Sequence, residues 1–402
     1  VNWKREAARF TPELKVLVLH GTGRKKLFSE INKHDLILTT YPLLTRDAEV
    51  LLQQQWHMTV LDEAQHIKNP RAKAAQAACQ LKSRCRLCLT GTPMENHLGE
   101  LWSQFNFLMP DMLGDEKAFQ KLYRIPIEKN QDVKRQQQLR NRLAPFMLRR
   151  DKSEVATELP PKTEILSEVE LEGAQRELYE KIRASMHEKV KQSVDKKGLS
   201  GSHIVILDAL LKLRQVCCHP QLIKNTEYKL PKQSAKLNQL MEMLPEMVEE
   251  GRRILLFSQF TSMLSIIEVE LKKHKIEYVI LTGQTRNREK PVDEFQEGKV
   301  PVFLISLKAG GSGLNLTAAD TVIHYDPWWN PAVERQATDR AHRIGQDKPV
   351  FVYKMITGGT VEEKIVNMQH KKQALADSLF SDGQKASAIS NEDLRSLFEP
   401  LN

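Results

Sequence analysis

The sequence predicts an α/β protein with two parallel-sheet lobes separated by a helical stretch, and three observations carry that prediction. Short apolar runs alternate with helix-period segments up to about Gly114. Mostly helical patterning then extends to about Glu250. Alternation resumes from Arg252 to about Met355, and helix follows through Leu379. Alternating strands and helices imply a parallel sheet with helices on both faces. At about 150 residues per domain, a chain of 402 residues suggests two or three domains, each able to bury a core.

In chain order, the strand candidates are Val16-Leu17-Val18-Leu19, Met58-Thr59-Val60-Leu61, Arg86-Leu87-Cys88-Leu89, Ile254-Leu255-Leu256-Phe257 and Val302-Phe303-Leu304-Ile305. The second ends in Asp62-Glu63-Ala64-Gln65, which is how a buried strand delivers two acids to its carboxyl end. Between Lys191 and Gly201 the chain is rich in Lys, Ser and Gly and reads as a loop. The run from Gln336 to Gln346 reads as a helix with Arg340 and Arg343 three residues apart on one face. In the tail, Leu394, Leu397 and Phe398 have the spacing of a docked amphipathic turn.

The net charge of +9 favours a polyanionic partner. From Lys134 to Lys152 there are seven Lys or Arg and one acid, with Arg149 and Arg150 adjacent. Such a run is either a solvated helix face or a contact to DNA backbone. No membrane-length apolar run and no basic-then-apolar leader is present, so nothing indicates a membrane or a secretory route. Five cysteines, sparse and odd in number, argue for reduced thiols in a cytosol-like compartment. Their irregular spacing argues against a zinc site.

Two groups of side chains suggest chemistry. Hydrolysis of a nucleoside triphosphate needs a magnesium ion near the β- and γ-phosphates and a group that orients or deprotonates water. Asp62 is assigned to the magnesium shell and Glu63 to the water, although Asp-Glu could merely cap a helix starting near Ala64. Arg340 and Arg343 carry planar donor forks that remain charged, which suits the charge developing on a transferring phosphoryl group.

The continuation Leu61-Asp62-Glu63-Ala64-Gln65-His66-Ile67-Lys68-Asn69-Pro70 resembles the acidic box of Swi/Snf-type ATPases, a branch of the superfamily two helicase-like motors. Other segments follow in that family's order. Thr39-Thr40-Tyr41-Pro42 resembles its early nucleic-acid contact motif. Leu89-Thr90-Gly91-Thr92-Pro93-Met94-Glu95-Asn96 resembles the segment that couples hydrolysis to DNA contact, and Ile254 to Phe260 the opening of the second lobe. The glycine-rich turn from Leu307 to Thr317 and Asp326-Pro327-Trp328-Trp329-Asn330-Pro331 then lead to the arginine segment. Trp328 and Trp329 could stack on a base or adenine, or form a packed corner.

The resemblance implies two RecA-like lobes with helical protrusions between them. Residues 1–114 would be the later part of the first lobe, 115–250 the protrusions and linker, 251–356 the second lobe, and 357–402 a brace helix and tail. ATP and Mg2+ are the implied cofactors, with Gln336 and Gly313 as further nucleotide contacts. Thr39, Thr40, Tyr41, Thr90, Ser258, Gln259, Lys308, Gly310, Arg149 and Arg150 are the implied DNA contacts. The implied function is ATP-dependent translocation on double-stranded DNA that remodels protein–DNA complexes without strand separation. The expected location is the cytoplasm, at the nucleoid, in a prokaryote and the nucleus in a eukaryote.

One family feature is missing from the sequence. No Gly-x-x-x-x-Gly-Lys-Ser/Thr phosphate loop occurs, and Gly21-Thr22-Gly23-Arg24-Lys25-Lys26 lacks both the gap and the hydroxyl. The opening Val1-Asn2-Trp3-Lys4 resembles the end of the motif that follows that loop. The expectation is therefore a chain truncated ahead of its first motif and inactive alone, from a parent that is a DNA-dependent ATPase. The alternative is a non-hydrolysing DNA-binding scaffold.

Overall fold

The computed structural model describes residues 2–91, 97–148, 150, 152, 156, 158–224, 228, 230–310, 313–369, 398, 400 and 401. They form two compact units, the first ending at Leu148 and the second following it.

In the first unit, β1 (Val16–Val18) pairs in parallel with β2 (Leu36–Leu38), and β3 (Gln55–Asp62) pairs in parallel with β4 (Lys82–Leu89). Parallel neighbours need a crossover, and the helical segments Thr22–Lys33 and Lys73–Gln80 supply them. Ala75, Ala77 and Ala78 let the second crossover pack closely onto Leu61, Ile67 and Phe107. A separate cluster joins Leu98, Leu101, Trp102 and Phe105 to Leu139 and Leu143. Cover by helices is one-sided on the β3–β4 pair. Met58 and Val60 are 51% and 42% exposed, and Leu87, the register partner of Val60, is 43% exposed.

The second unit holds a six-stranded parallel sheet in the order β5-β10-β9-β6-β8-β7. Its strands are β5 (Lys162–Val169), β6 (Ile254–Ser258), β7 (Tyr278–Leu281), β8 (Val302–Ser306), β9 (Thr321–His324) and β10 (Val350–Thr357). Strand residues alternate between the two faces. Ile254, Leu256, Leu304 and Ile323 pack with helices Ala235–Glu249 and Thr261–Lys273. Leu255, Phe257, Phe303 and Val322 pack with helices Glu289–Gln296 and Pro331–Thr338. Both faces are thus covered, as the continuous apolar runs imply. Each fully buried Leu or Ile contributes about 1.5–3 kcal/mol.

Two details depart from the sequence reading. β5 lies inside the stretch expected to be helical, and it adds in parallel to β10 at the sheet edge. Its charged sequence Lys162-Thr163-Glu164-Ile165 suits an edge strand, where polar side chains face water, and so gives no apolar run to read. The Lys-rich segment 191–201 is helical instead of a loop, continuing Gly173–Gly201 with a break at Gly198, whose φ of +68° glycine tolerates.

That helix and His203–Cys218 form a hairpin whose core includes Tyr179, Leu210 and Leu213 with Val361, Ile365 and Met368 of the helical residues 361–369. At its start, Lys236 and Glu362 form a fully buried ion pair at 2.5 Å. Lys236 Nζ also donates to the carbonyls of Tyr325 and Met355 at 3.0 and 3.1 Å, and Glu362 Oε2 accepts from the Thr357 amide and hydroxyl, both at 3.0 Å. Such a pair is tolerated only because its remaining donors and acceptors are used.

Candidate nucleotide and DNA site

In the first unit the acids sit where the strand pattern places them, at the carboxyl end of β3. Asp62 is exposed; its Oδ1 accepts from the Glu63 amide at 3.0 Å and its Oδ2 from Trp3 Nε1 at 2.8 Å. Glu63 has a left-handed backbone, φ 50° and ψ 54°, a conformation that costs a non-glycine residue about 1 kcal/mol or more. The bend turns the chain from strand into the helical turn Ala64–Ile67.

A short hydrogen-bonded series leads away from Glu63. Gln65 Nε2 donates to Glu63 Oε2 at 2.8 Å, and Gln65 Oε1 accepts from the Thr90 hydroxyl at 2.9 Å. The sequence reading assigned no role to Gln65; its two-sided amide, able to donate and accept at once, is the signal that was available. Tyr41 donates its hydroxyl to the Asp62 carbonyl at 2.7 Å, and its ring lies 5.0 Å from that of His66. Burial, with the charges of Cys88, Asp62 and Glu63, pushes the Tyr41 phenol well up, so it stays a donor.

In the second unit the arginines are not on one helix. Helix Pro331–Thr338, capped by Asn330 Oδ1 on the Ala332 amide at 3.0 Å, stops before them. Arg340 and Arg343 lie in tighter turns, with Arg340 buried and Arg343 half-buried. Tertiary bonds end the helix. The Arg340 carbonyl accepts from the Leu316 amide at 3.0 Å, and Gln346 Nε2 reaches the carbonyls of Thr317, Ala319 and Ala341 at 3.1, 2.7 and 3.0 Å. Gln346 therefore anchors the turn that carries both arginines, a role that the helical reading could not suggest.

The other predicted positions divide sharply. Thr39, Thr40, Lys308, Arg150 and Gly313 are exposed; Gly313 has φ +53°, a left-handed conformation. Gln336 is half-buried on the helix ahead of the arginines. Ser258 is a correction: it is fully buried and donates to Asp326 Oδ1 at 2.5 Å, so its hydroxyl is spent inside the protein. The half-buried Gln259 donates its backbone N–H to the same carboxylate at 3.3 Å. Burial holds the Asp326 carboxyl above its ordinary range, against the opposing charge of Arg214 and the Ser258 bond. The half-buried Tyr41 directs its hydroxyl to the acid turn. Gly310 is buried against Phe257, so that turn offers Lys308, and not Gly310, to the surface. Arg149 lies outside the described residues, as do Thr92 to Asn96, Gly311 and Ser312.

One alternative left open by the sequence is decided by contacts. Arg214, 3% exposed, donates to the Pro327 carbonyl at 2.5 Å, and its guanidinium carbon lies 6.0 and 5.7 Å from the Trp328 and Trp329 rings. The tryptophans form a packed corner around a cation. In Gly21–Lys26, which the sequence sets apart from a phosphate loop, Arg24 forks onto Asp47 at 2.6 and 2.9 Å.

Comparison with known proteins supplies the frame for these parts. The SNF2-related domain matches residues 1–222, and the helicase conserved C-terminal domain matches residues 235–345. The chain belongs to the SNF2 family. Among the relatives of this SNF2 chain is the putative ATP-dependent helicase/translocase YwqA of Bacillus subtilis, 42% identical over 410 residues, covering 99% of this chain and 44% of that protein. The ISWI chromatin-remodeling complex ATPase ISW1 of Saccharomyces cerevisiae is 35% identical over 391 residues, covering 93% and 34%. The chain thus spans less than half the length of these relatives. A solved structure, the Sulfolobus solfataricus SWI2/SNF2 ATPase core in complex with dsDNA, is 37% identical, with 99% of this chain and 84% of that one covered at a TM-score of 0.48.

Within this SNF2 chain, Asp62 has the donor chemistry for magnesium. That ion is held by one or two carboxylates together with substrate phosphates, without an all-protein cage. Among the described residues no group of three or more His, Cys, Asp or Glu forms such a cage.

Proposed function

We propose that this chain is the motor part of an ATP-dependent translocase on double-stranded DNA that remodels protein–DNA complexes without separating the strands. The observation that carries the reading is the Glu63–Gln65–Thr90 series, which ties a water-orienting acid to the head of the Leu89–Asn96 segment. The names of the relatives as ATP-dependent helicase/translocase and remodelling ATPase support hydrolysis over a non-hydrolysing scaffold.

In this reading Glu63 orients the attacking water and takes its proton. Asp62 holds Mg2+, which neutralises charge at the β- and γ-phosphates. Arg340 and Arg343 meet the charge that develops on the transferring group, a contribution of about 10³–10⁵ in rate. Gln336 and Gly313 contact the nucleotide. Exposed Thr39, Thr40, Lys308 and Arg150 take DNA phosphates, where each neutralised phosphate steepens the salt dependence of binding. Thr90 then reports DNA contact to Glu63 through Gln65. The protein works at the nucleoid of a prokaryote or in a eukaryotic nucleus.

Displacement of a third strand from a triplex, run beside a strand-separation assay on a plain duplex, tests the direction of the work. The reading predicts ATP-dependent displacement from the triplex and an intact duplex. Separation of the duplex would make the protein an unwinding helicase, and salt-sensitive binding indifferent to nucleotide would make it a scaffold.

A further inference from the structure

His324 ends β9 and is 1% exposed, among neighbours Val322, Ile323 and Tyr325 that are likewise buried. A purely packing position there calls for another apolar side chain, because burying an imidazole without using its nitrogens costs free energy. One nitrogen is used. His324 Nε2 lies 2.9 Å from the Thr338 hydroxyl, at the last residue of helix Pro331–Thr338. The carbonyl of the same threonine accepts from the amides of Ala341 and His342 at 3.0 and 3.1 Å, so Thr338 holds the turn that contains Arg340.

The ring has a second neighbour. It stacks on Phe257 with centroids 5.5 Å apart and planes at 20°. Phe257 in turn supports the turn Leu307–Gly310: a Cβ added to Gly310 would lie 2.9 Å from Phe257 Cε1 and 3.3 Å from Ile305 Cγ2. Glycine at that position lets the backbone rest directly on the ring. The contiguous contacts therefore run from the turn that exposes Lys308, through Phe257 and His324, to Thr338 and the arginine turn.

We infer that His324 is a positioning residue that couples the Lys308–Gly310 turn to the arginine turn, so that duplex bound at the first sets the placement of Arg340 at the second. The inference rests on the proposed translocase reading and assigns its DNA-to-arginine signal a route inside the second unit. A displacement of the turn by a bound phosphate moves the edge of Phe257, the stacked imidazole follows, and the Thr338 hydroxyl transmits the shift. Such packed cores switch between discrete arrangements, because close packing leaves little room for intermediate ones.

Two readouts test it in the natural gene product that carries this sequence. In ATP hydrolysis with saturating duplex, Thr338→Val lowers kcat by about tenfold and leaves KM for ATP within about twofold, since a small misplacement of a catalytic group acts on turnover. Thr338→Ser, which keeps the hydroxyl, restores kcat to near the parent value, and both variants melt at the parent temperature. Equal kcat for the valine and serine variants overturns the inference.

The second readout needs no hydrolysis. Nitrogen-15 signals of the His324 ring shift when a short duplex is added, and the shift disappears in Lys308→Ala at a duplex concentration that saturates both proteins. Duplex binding without a His324 shift overturns the inference. A shift in a protein that hydrolyses no ATP upholds the coupling and sinks the translocase reading instead.

Discussion

Thr90 donates its hydroxyl to Gln65 Oε1 at 2.9 Å, and through that amide the end of β4 is joined to the Glu63 carboxylate at the end of β3. β3 and β4 are neighbours in register, with Asp62 opposite Leu89, so the bond spans adjacent strand ends and needs no long loop. In the proposed reading, this side-chain series is the route in the first unit between DNA contact and water activation.

Replacing Gln65 by Ala removes both bonds and with them the link between Glu63 and Thr90. The account predicts a fall in kcat of about 10²-fold with KM for ATP changed less than about threefold. Steady-state kinetics with duplex present give both numbers, and a change in KM alone contradicts the assignment.

The Lys236–Glu362 pair is buried on every side, and removing one partner strands the other. Lys236→Met is expected to destabilise the second unit by about 3–5 kcal/mol, while Lys236→Met with Glu362→Leu recovers much of the loss. Urea unfolding of the single and double variants measures the difference. Because Glu362 lies in the first turn of the helical residues 361–369, the single variant also loosens the contact of Val361 and Ile365 with the helical hairpin.

His324 makes stability sensitive to acid. Burial, with the charge of Lys354, drives its pKa down to about 3, below the ordinary value of 6.5, so the folded state favours the neutral ring. Its contribution is full above pH 6.5 and is lost as pH falls from 6.5 towards 3, with a limiting slope of about 1.4 kcal/mol per pH unit. His324→Phe should flatten that part of the stability curve, read by denaturant midpoints across the window. An unchanged slope places the acid sensitivity elsewhere.

Glu164 on β5 is also held low, but as the charged form. Burial opposes its charge, but hydrogen bonds from Lys162 at 2.8 Å and Lys354 at 2.7 Å outweigh it and hold the pKa down to about 2. Its contribution is therefore present above the ordinary carboxylate range, near 4.5, and disappears as pH falls from there to about 2. Glu164→Gln should be less stable than the parent at neutral pH by a small margin, with the two curves converging over that window.

What could be read from the sequence follows from where the chain buries apolar surface. Ile254–Phe257 and Val302–Ile305 are buried on both faces and appear as unbroken apolar runs; β5 is an edge strand with Lys162 and Glu164 on it and gives no such run. The acids Asp62 and Glu63 were legible because a strand end fixes where they stand. The arginines were misplaced on a helix because their spacing is helical, while the bonds that end the helix come from Leu316 and Gln346, remote or unassigned in the local pattern. Ser258 is implied as a DNA contact by the resemblance of its segment, and only the fold brings Asp326 beside it. Local periodicity carries no information about such tertiary partners.

The most direct test is ATP hydrolysis by the natural gene product carrying this sequence, measured without DNA, with single-stranded DNA and with duplex, beside its Glu63→Gln variant. The account predicts turnover stimulated most by duplex and abolished by the substitution. Hydrolysis that survives Glu63→Gln, or that ignores duplex, contradicts it.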